Sequence, residues 1–169
     1  MFSRILALQL LILPHALLAQ DVQLNFTSSV FFLNCEINTT SQYQIINLGD
    51  WKKESFTTVG SRSPAVPFNI SLRCPGNSRL QVYFAGQADP NNGQLLALDD
   101  INDKDRGIGV RLMNASGNAY NINDYTPFRS VTSSSDTLSF QASYESTRPM
   151  NEIQPGPAVA TMMFTMNYE

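Results

Sequence analysis

The stretch that decides the fold is Gly156-Pro157-Ala158-Val159-Ala160-Thr161-Met162-Met163-Phe164-Thr165-Met166-Asn167-Tyr168-Glu169. Counting back from Tyr168 in twos gives Met166, Phe164, Met162, Ala160 and Ala158. Polar Asn167, Thr165 and Thr161 fall between them, which is the period of a half-buried strand. The pattern predicts a strand over residues 158–168. A strand must satisfy the backbone groups on both of its edges or protect the bare one. Nothing later in the sequence supplies a neighbour, so the expectation is a sheet with one open edge.

Working outward, the same alternation recurs along the chain. Residues 20–35 read as a long strand through Val22, Leu24, Phe26, Val30 and Phe32, with Ser28 interrupting the apolar series. Residues 43–48 read as a second strand, closed by Gly49-Asp50. Residues 65–74 alternate at Val66, Phe68, Ile70 and Leu72 and end in Pro75-Gly76-Asn77, and residues 79–86 follow through Leu80, Val82 and Phe84. Residues 95–98 form a short apolar run. Residues 109–114 and 119–122 flank the turn Ala115-Ser116-Gly117-Asn118 as a hairpin, and residues 137–144 give one more strand. No segment keeps a helical period over ten residues. Many short strands punctuated by Gly, Pro and Asn predict an all-β, antiparallel sandwich.

Composition narrows the function. The start of the chain has the basic, apolar and small-residue parts of a secretory signal peptide, with Arg4, an apolar run over residues 5–13 and a small residue at Ala19. Residues 1–19 are therefore expected to be removed. The remaining 150 residues carry 10 basic and 14 acidic side chains, which argues against nucleic acid as a partner. The only histidine, His15, lies in the signal, so the mature chain lacks the residue on which most catalytic triads and many metal sites depend. Cys35 and Cys74 in an exported chain read as one disulfide. In the entropic model a loop of that length stabilises the fold by roughly 4 kcal/mol.

Other candidates have plainer readings. The acidic loop 99–105 offers oxygen ligands, but it lacks the ligand spacing of a calcium loop and holds Lys104; it reads as solvated. Four glycosylation sequons occur at Asn25, Asn38, Asn69 and Asn114, and two of them, Asn25 and Asn69, fall inside predicted strands, where glycans are not displayed. No pair of carboxylates stands out for hydrolysis. Neither an enzyme, a cofactor, a metal site nor a small-molecule substrate is expected.

Four features together resemble the pilin subunits of chaperone-usher fimbriae, in particular the type 1-like minor or adaptor subunits. They are the alternating segment that ends at Cys35 with a second cysteine closing PFNISLRC at Cys74, the Leu48-Gly49-Asp50 turn, Gly156 fourteen places from the end, and the penultimate Tyr168. The resemblance spans essentially the whole mature chain. It implies an incomplete immunoglobulin-like sandwich that lacks its last strand, completed by a donor strand from a chaperone or a neighbouring subunit.

The resemblance also implies partners and roles. A periplasmic chaperone would fill the groove first, an outer-membrane usher would assemble the fibre, and the N-terminal extension of the next subunit would replace the chaperone by strand addition. The implied division is a signal over 1–19, a donor extension and start of the first strand over 20–34, and a pilin domain over 35–169. The donor face would be Val22, Leu24, Phe26, Ser28 and Val30. The acceptor strand would present Gly156, Ala158, Ala160, Met162, Phe164, Met166, Tyr168 and the carboxylate of Glu169. Ser28 departs from the pattern, since glycine is usual at the fourth donor position. The implied product is a fibre on the bacterial surface, reached through the periplasm and contributing to adhesion. The alternative is a monomeric secreted sandwich that binds carbohydrate or protein.

Overall fold

The computed structural model describes residues 35–99 and 105–169. The signal, the donor residues Val22, Leu24, Phe26, Ser28 and Val30, and residues 100–104 of the acidic loop lie outside them.

Two antiparallel sheets form the body. The first has the order β1 (Glu36–Ile37), β2 (Val66–Arg73), β8 (Ser135–Ser146), β4 (Ile108–Asn114), β5 (Ala119–Tyr120). The second is built on β3 (Ser78–Gly86), which pairs with β6 (Asp124–Tyr125) and β7 (Arg129–Val131), and with β9 (Met162–Tyr168). The alternating residues read from the sequence make the interface between the sheets. Phe68, Ile70 and Leu72 of β2, Leu80, Val82 and Phe84 of β3, and Leu138, Phe140 and Ala142 of β8 are all buried. Phe140 stacks on Phe68 across the β2–β8 ladder with centroids 5.5 Å apart, and it meets Phe84 of the other sheet edge-on at 5.1 Å. That pairing of rings fixes how the two sheets face each other.

Cys35 and Cys74 form the disulfide, which ties the chain just before β1 to the end of β2. A second, smaller core of Phe56, Ile108 and Ile153 lies at one end of the body, with Tyr144 packed against both cores.

The structure redraws several elements. Residues 43–48 were expected to be a strand. They make no ladder among the described residues, and a single helical turn, α1 (Thr39–Gln42), precedes them. Their alternation is nevertheless real, with Ile46 and Leu48 against the core and Tyr43 and Ile45 over 80% exposed. Residues 95–98 contribute only isolated bridges, from Leu96 to Ala88 and to Val110. The hairpin over 109–122 keeps its turn but shortens its second arm to β5.

Outside the sandwich core, on the opposite face of β4 and β8, Glu145 accepts hydrogen bonds from Arg111 Nη2 at 2.8 Å, Arg111 Nε at 2.9 Å and Arg62 Nε at 2.6 Å. Burial raises the Glu145 pKa, but the bonds from Arg111 and Arg62 outweigh it and hold the carboxyl below its ordinary range.

Candidate functional site

The site is built by β9, the last strand. Its register against β3 runs from Gly86 opposite Met162 to Leu80 opposite Tyr168. Beyond it, Glu169 N donates to Arg79 O at 2.9 Å, which fixes the phase of the ladder. Residues 163, 165, 167 and 169 therefore aim their backbone groups at β3, whereas Met162, Phe164, Met166 and Tyr168 aim theirs away from it. These same four residues turn their side chains toward the core, where they are half-buried, while Met163 on the opposite face is 72% exposed. Among the described residues no strand pairs with this outer edge. Among the described residues, then, one set presents both an incompletely covered apolar face and a backbone edge with no strand beside it.

The opposite wall comes from residues 35–51. At one end, the Tyr168 phenol donates to Cys35 O at 2.6 Å. At the other, Gly49, Asp50 and Trp51 face Pro155, Pro157 and Ala158 across a cavity of about 230 Å³ that Tyr144 also lines. The two walls therefore run in opposite directions along a groove. Ile37, Ile46 and Leu48 contribute apolar surface on the first side, and Ala160, Met162, Phe164 and Met166 on the second. Trp51 Nε1 donates to Leu48 O at 2.8 Å and Gly49 N donates to the side chain of Asn47 at 2.9 Å, so the turn that ends the first wall is internally tied. Gly49, at φ +81°, adopts a conformation that other residues rarely take.

Tyrosine hydroxyls act at both ends. The Tyr144 phenol donates to Ala158 O at 2.6 Å. Burial pushes both phenols upward, with Asp50 adding to the effect at Tyr144, so each keeps the proton it donates.

The structure brings most sequence-read acceptor residues together, with one change of extent. The ladder begins at Met162, not at Ala158; Ala158 and Ala160 precede it, half-buried along the same wall. Gly156 has a physical reason to be glycine. Its φ is +154°, a backbone conformation that other residues rarely adopt, and a Cβ there would also push aside the Arg106 guanidinium, which donates to Pro155 O at 3.0 Å. Glu169 pairs through its side chain with Arg79. In the acidic loop, Asp99 accepts bonds from Thr161, and Asp105 accepts from Gly107 N and pairs with Arg148 at 2.6 Å. Among the described residues no group of three or more His, Cys, Asp or Glu is placed to hold a metal ion.

Sequence reading missed Tyr144, Asp99 and Arg106 as parts of the site. Tyr144 was read only as the last residue of a strand, and Asp99 and Arg106 only as loop charges. No local signal marks them, because their partners lie 14, 62 and 49 residues away.

A sandwich that among its described residues is open beside its last strand has counterparts. The family model described as fimbrial protein matches residues 24–169. The chain belongs to the fimbrial protein family. Curated relatives include the type-1 fimbrial protein A chain of Salmonella typhi, 28% identical over 86% of this chain and 82% of that one. The fimbrial-like protein YdeS of Escherichia coli (strain K12) is also 28% identical, over 92% of this chain and 90% of its own length. Among solved structures, the P pilus rod subunit PapA superposes with a TM-score of 0.66 at 18% identity, covering 80% of this chain and 99% of that one. A chaperone-usher pilus subunit superposes with a TM-score of 0.65 at 16% identity, covering 92% and 100%. This fimbrial subunit is accordingly a structural component of a fimbria, exported and assembled at the cell surface, with the incomplete sandwich of pilins.

Proposed function

We propose that this fimbrial subunit polymerises by strand exchange and carries out no catalysis. A periplasmic chaperone lends a strand to the groove beside β9, and an outer-membrane usher then brings the N-terminal extension of a neighbouring subunit to replace it. The subunit's own extension, presenting Val22, Leu24, Phe26, Ser28 and Val30 from the 20–34 segment, enters the groove of another subunit. The observation that carries this reading is the coincidence at Met162, Phe164, Met166 and Tyr168 of an inward apolar side chain with an outward backbone edge. An added strand with alternating apolar residues answers both needs at once: its backbone completes the ladder and its side chains cover the core.

The exposed edge would otherwise be an aggregation hazard. This favours an assembling subunit over a monomeric module that binds carbohydrate or protein. Deleting residues 20–29 tests the division of labour. The truncated chain should still bind its chaperone and accept a donor, but should not extend the fibre into the next groove. Normal incorporation of truncated subunits throughout fibres would overturn the proposal.

A further inference from the structure

Beyond Met162 the acceptor wall loses its sheet partner. The β3 side is taken over by residues 95–97, with Asp89 N donating to Leu95 O at 2.9 Å and Ala97 N to Gln87 O at 2.8 Å. Residues 158–161 would then have nothing to hold them extended, and they follow a loop rich in proline. Asp99 fills the gap. Its backbone N–H donates to Val159 O at 2.6 Å, while its carboxylate accepts the Thr161 N–H at 3.2 Å on Oδ1 and the Thr161 hydroxyl at 2.5 Å on Oδ2. This is the bonding of a single residue in a parallel ladder that brackets Ala160, with the carboxylate in place of the main-chain carbonyl. Val159 O and Thr161 N thereby gain partners on the side away from the groove. From the groove side, Tyr144 O–H holds Ala158 O.

We propose that Asp99 is a positioning residue of the acceptor groove. It holds residues 158–161 in strand conformation before a donor arrives, so that the end of the groove lined by Tyr144 and Trp51 is ready-made and strand entry is fast. The inference rests on the strand-exchange reading above. Its physical basis is preorganisation: a wall that must be ordered at the moment of binding is competent in only a fraction of molecules, and apparent affinity falls by that fraction. Asp99 is exposed and lies outside the sandwich core, so removing it should affect the wall more than the body.

The test uses the full mature chain and a fluorescent synthetic peptide of residues 20–34. Association and dissociation rates are measured by anisotropy, backbone amide exchange at residues 158–161 by mass spectrometry, and global stability by urea unfolding. Asp99→Ala should slow association about tenfold, the scale of losing bonds to a charged acceptor. It should also accelerate exchange at Thr161 while leaving the urea midpoint near the wild-type value. Asp99→Asn, which keeps an acceptor, should fall between the two, and Thr161→Ser should match the wild type. Should Asp99→Ala not fold, Thr161→Val, which keeps the side-chain shape and loses only the hydroxyl, should still slow association roughly threefold. Association rates for Asp99→Ala and Thr161→Val equal to that of the wild type would overturn the role of Asp99 while leaving strand exchange intact. Failure of the peptide to bind the wild type at all would overturn strand exchange between copies of this subunit and the inference with it.

Discussion

Glu145 offers a sharp energetic test, because its two arginine partners should contribute very differently. The side chains of Glu145 and Arg111 are each only 5% exposed, whereas that of Arg62 is 44% exposed. Removing one partner of a buried pair leaves the other charge buried without compensation, at a cost of about 3–5 kcal/mol. An ion pair with a solvated partner is screened, and its loss costs up to about 1 kcal/mol. Glu145→Ala should therefore lower the melting temperature by roughly 6–20 °C, taking about 2–4 °C per kcal/mol for a domain of this size, whereas Arg62→Ala should cost about 4 °C at most. The double variant Arg111→Met/Glu145→Leu should recover most of the loss, since apolar replacements of both partners leave no orphaned charge. The pH dependence has a definite sign. Burial raises the Glu145 pKa, but the bonds from Arg111 and Arg62 lower it by more, so the folded value lies below the ordinary 4.5. Its contribution is complete above that ordinary value and is lost as the pH falls through the lowered one. The difference in melting temperature between the wild type and Glu145→Gln should thus narrow as the pH is taken from 7 to below 4. Equal melting temperatures for Glu145→Ala and Arg62→Ala, measured by circular dichroism, would refute the distinction between buried and solvated partners.

Other substitutions probe separate parts of the fold. A Cβ at Gly109 would lie 2.9 Å from Leu95 Cβ and 3.2 Å from Leu96 O, so Gly109→Ala must displace the 95–96 backbone and should cost about 1–3 kcal/mol in urea unfolding. Cys35→Ser/Cys74→Ser removes a cross-link spanning 39 residues and should cost about 4 kcal/mol, read from the same titration under non-reducing conditions. Tyr168→Phe loses the bond to Cys35 O and should cost about 1 kcal/mol while loosening the closed end of the groove, visible as faster amide exchange near the end of β9.

The period-two runs were enough to identify the core. Phe68, Ile70 and Leu72, then Leu80, Val82 and Phe84, alternate in the sequence and are buried in the structure, because a strand between solvent and a second sheet must alternate. The cysteine pair was legible from export and number. The groove was legible on one wall only. Residues 43–48 alternate as a strand does, but alternation reports which face is wet and says nothing of which edge is paired, so their place as the second wall emerged only with the fold. Asp99, Tyr144 and the triad of Arg62, Arg111 and Glu145 were illegible for another reason. Each is a polar residue in a position where solvent was the simplest expectation, and each finds its partner through a contact that strand topology creates.

By itself, then, the sequence determined the inward faces of β2, β3, β8 and β9 and the apolar character of Ala158, Ala160, Met162, Phe164, Met166 and Tyr168, since side-chain direction follows from local backbone geometry. Only the tertiary structure decided that β9 leaves β3 at Met162, that Asp99 takes over beyond that point, and that Cys35 and Gly49 mark opposite ends of the facing wall. These are choices of partner between distant segments. Hydrogen-bonding edges are alike in every strand, and the core that brings two of them together exists only once the sheets have packed.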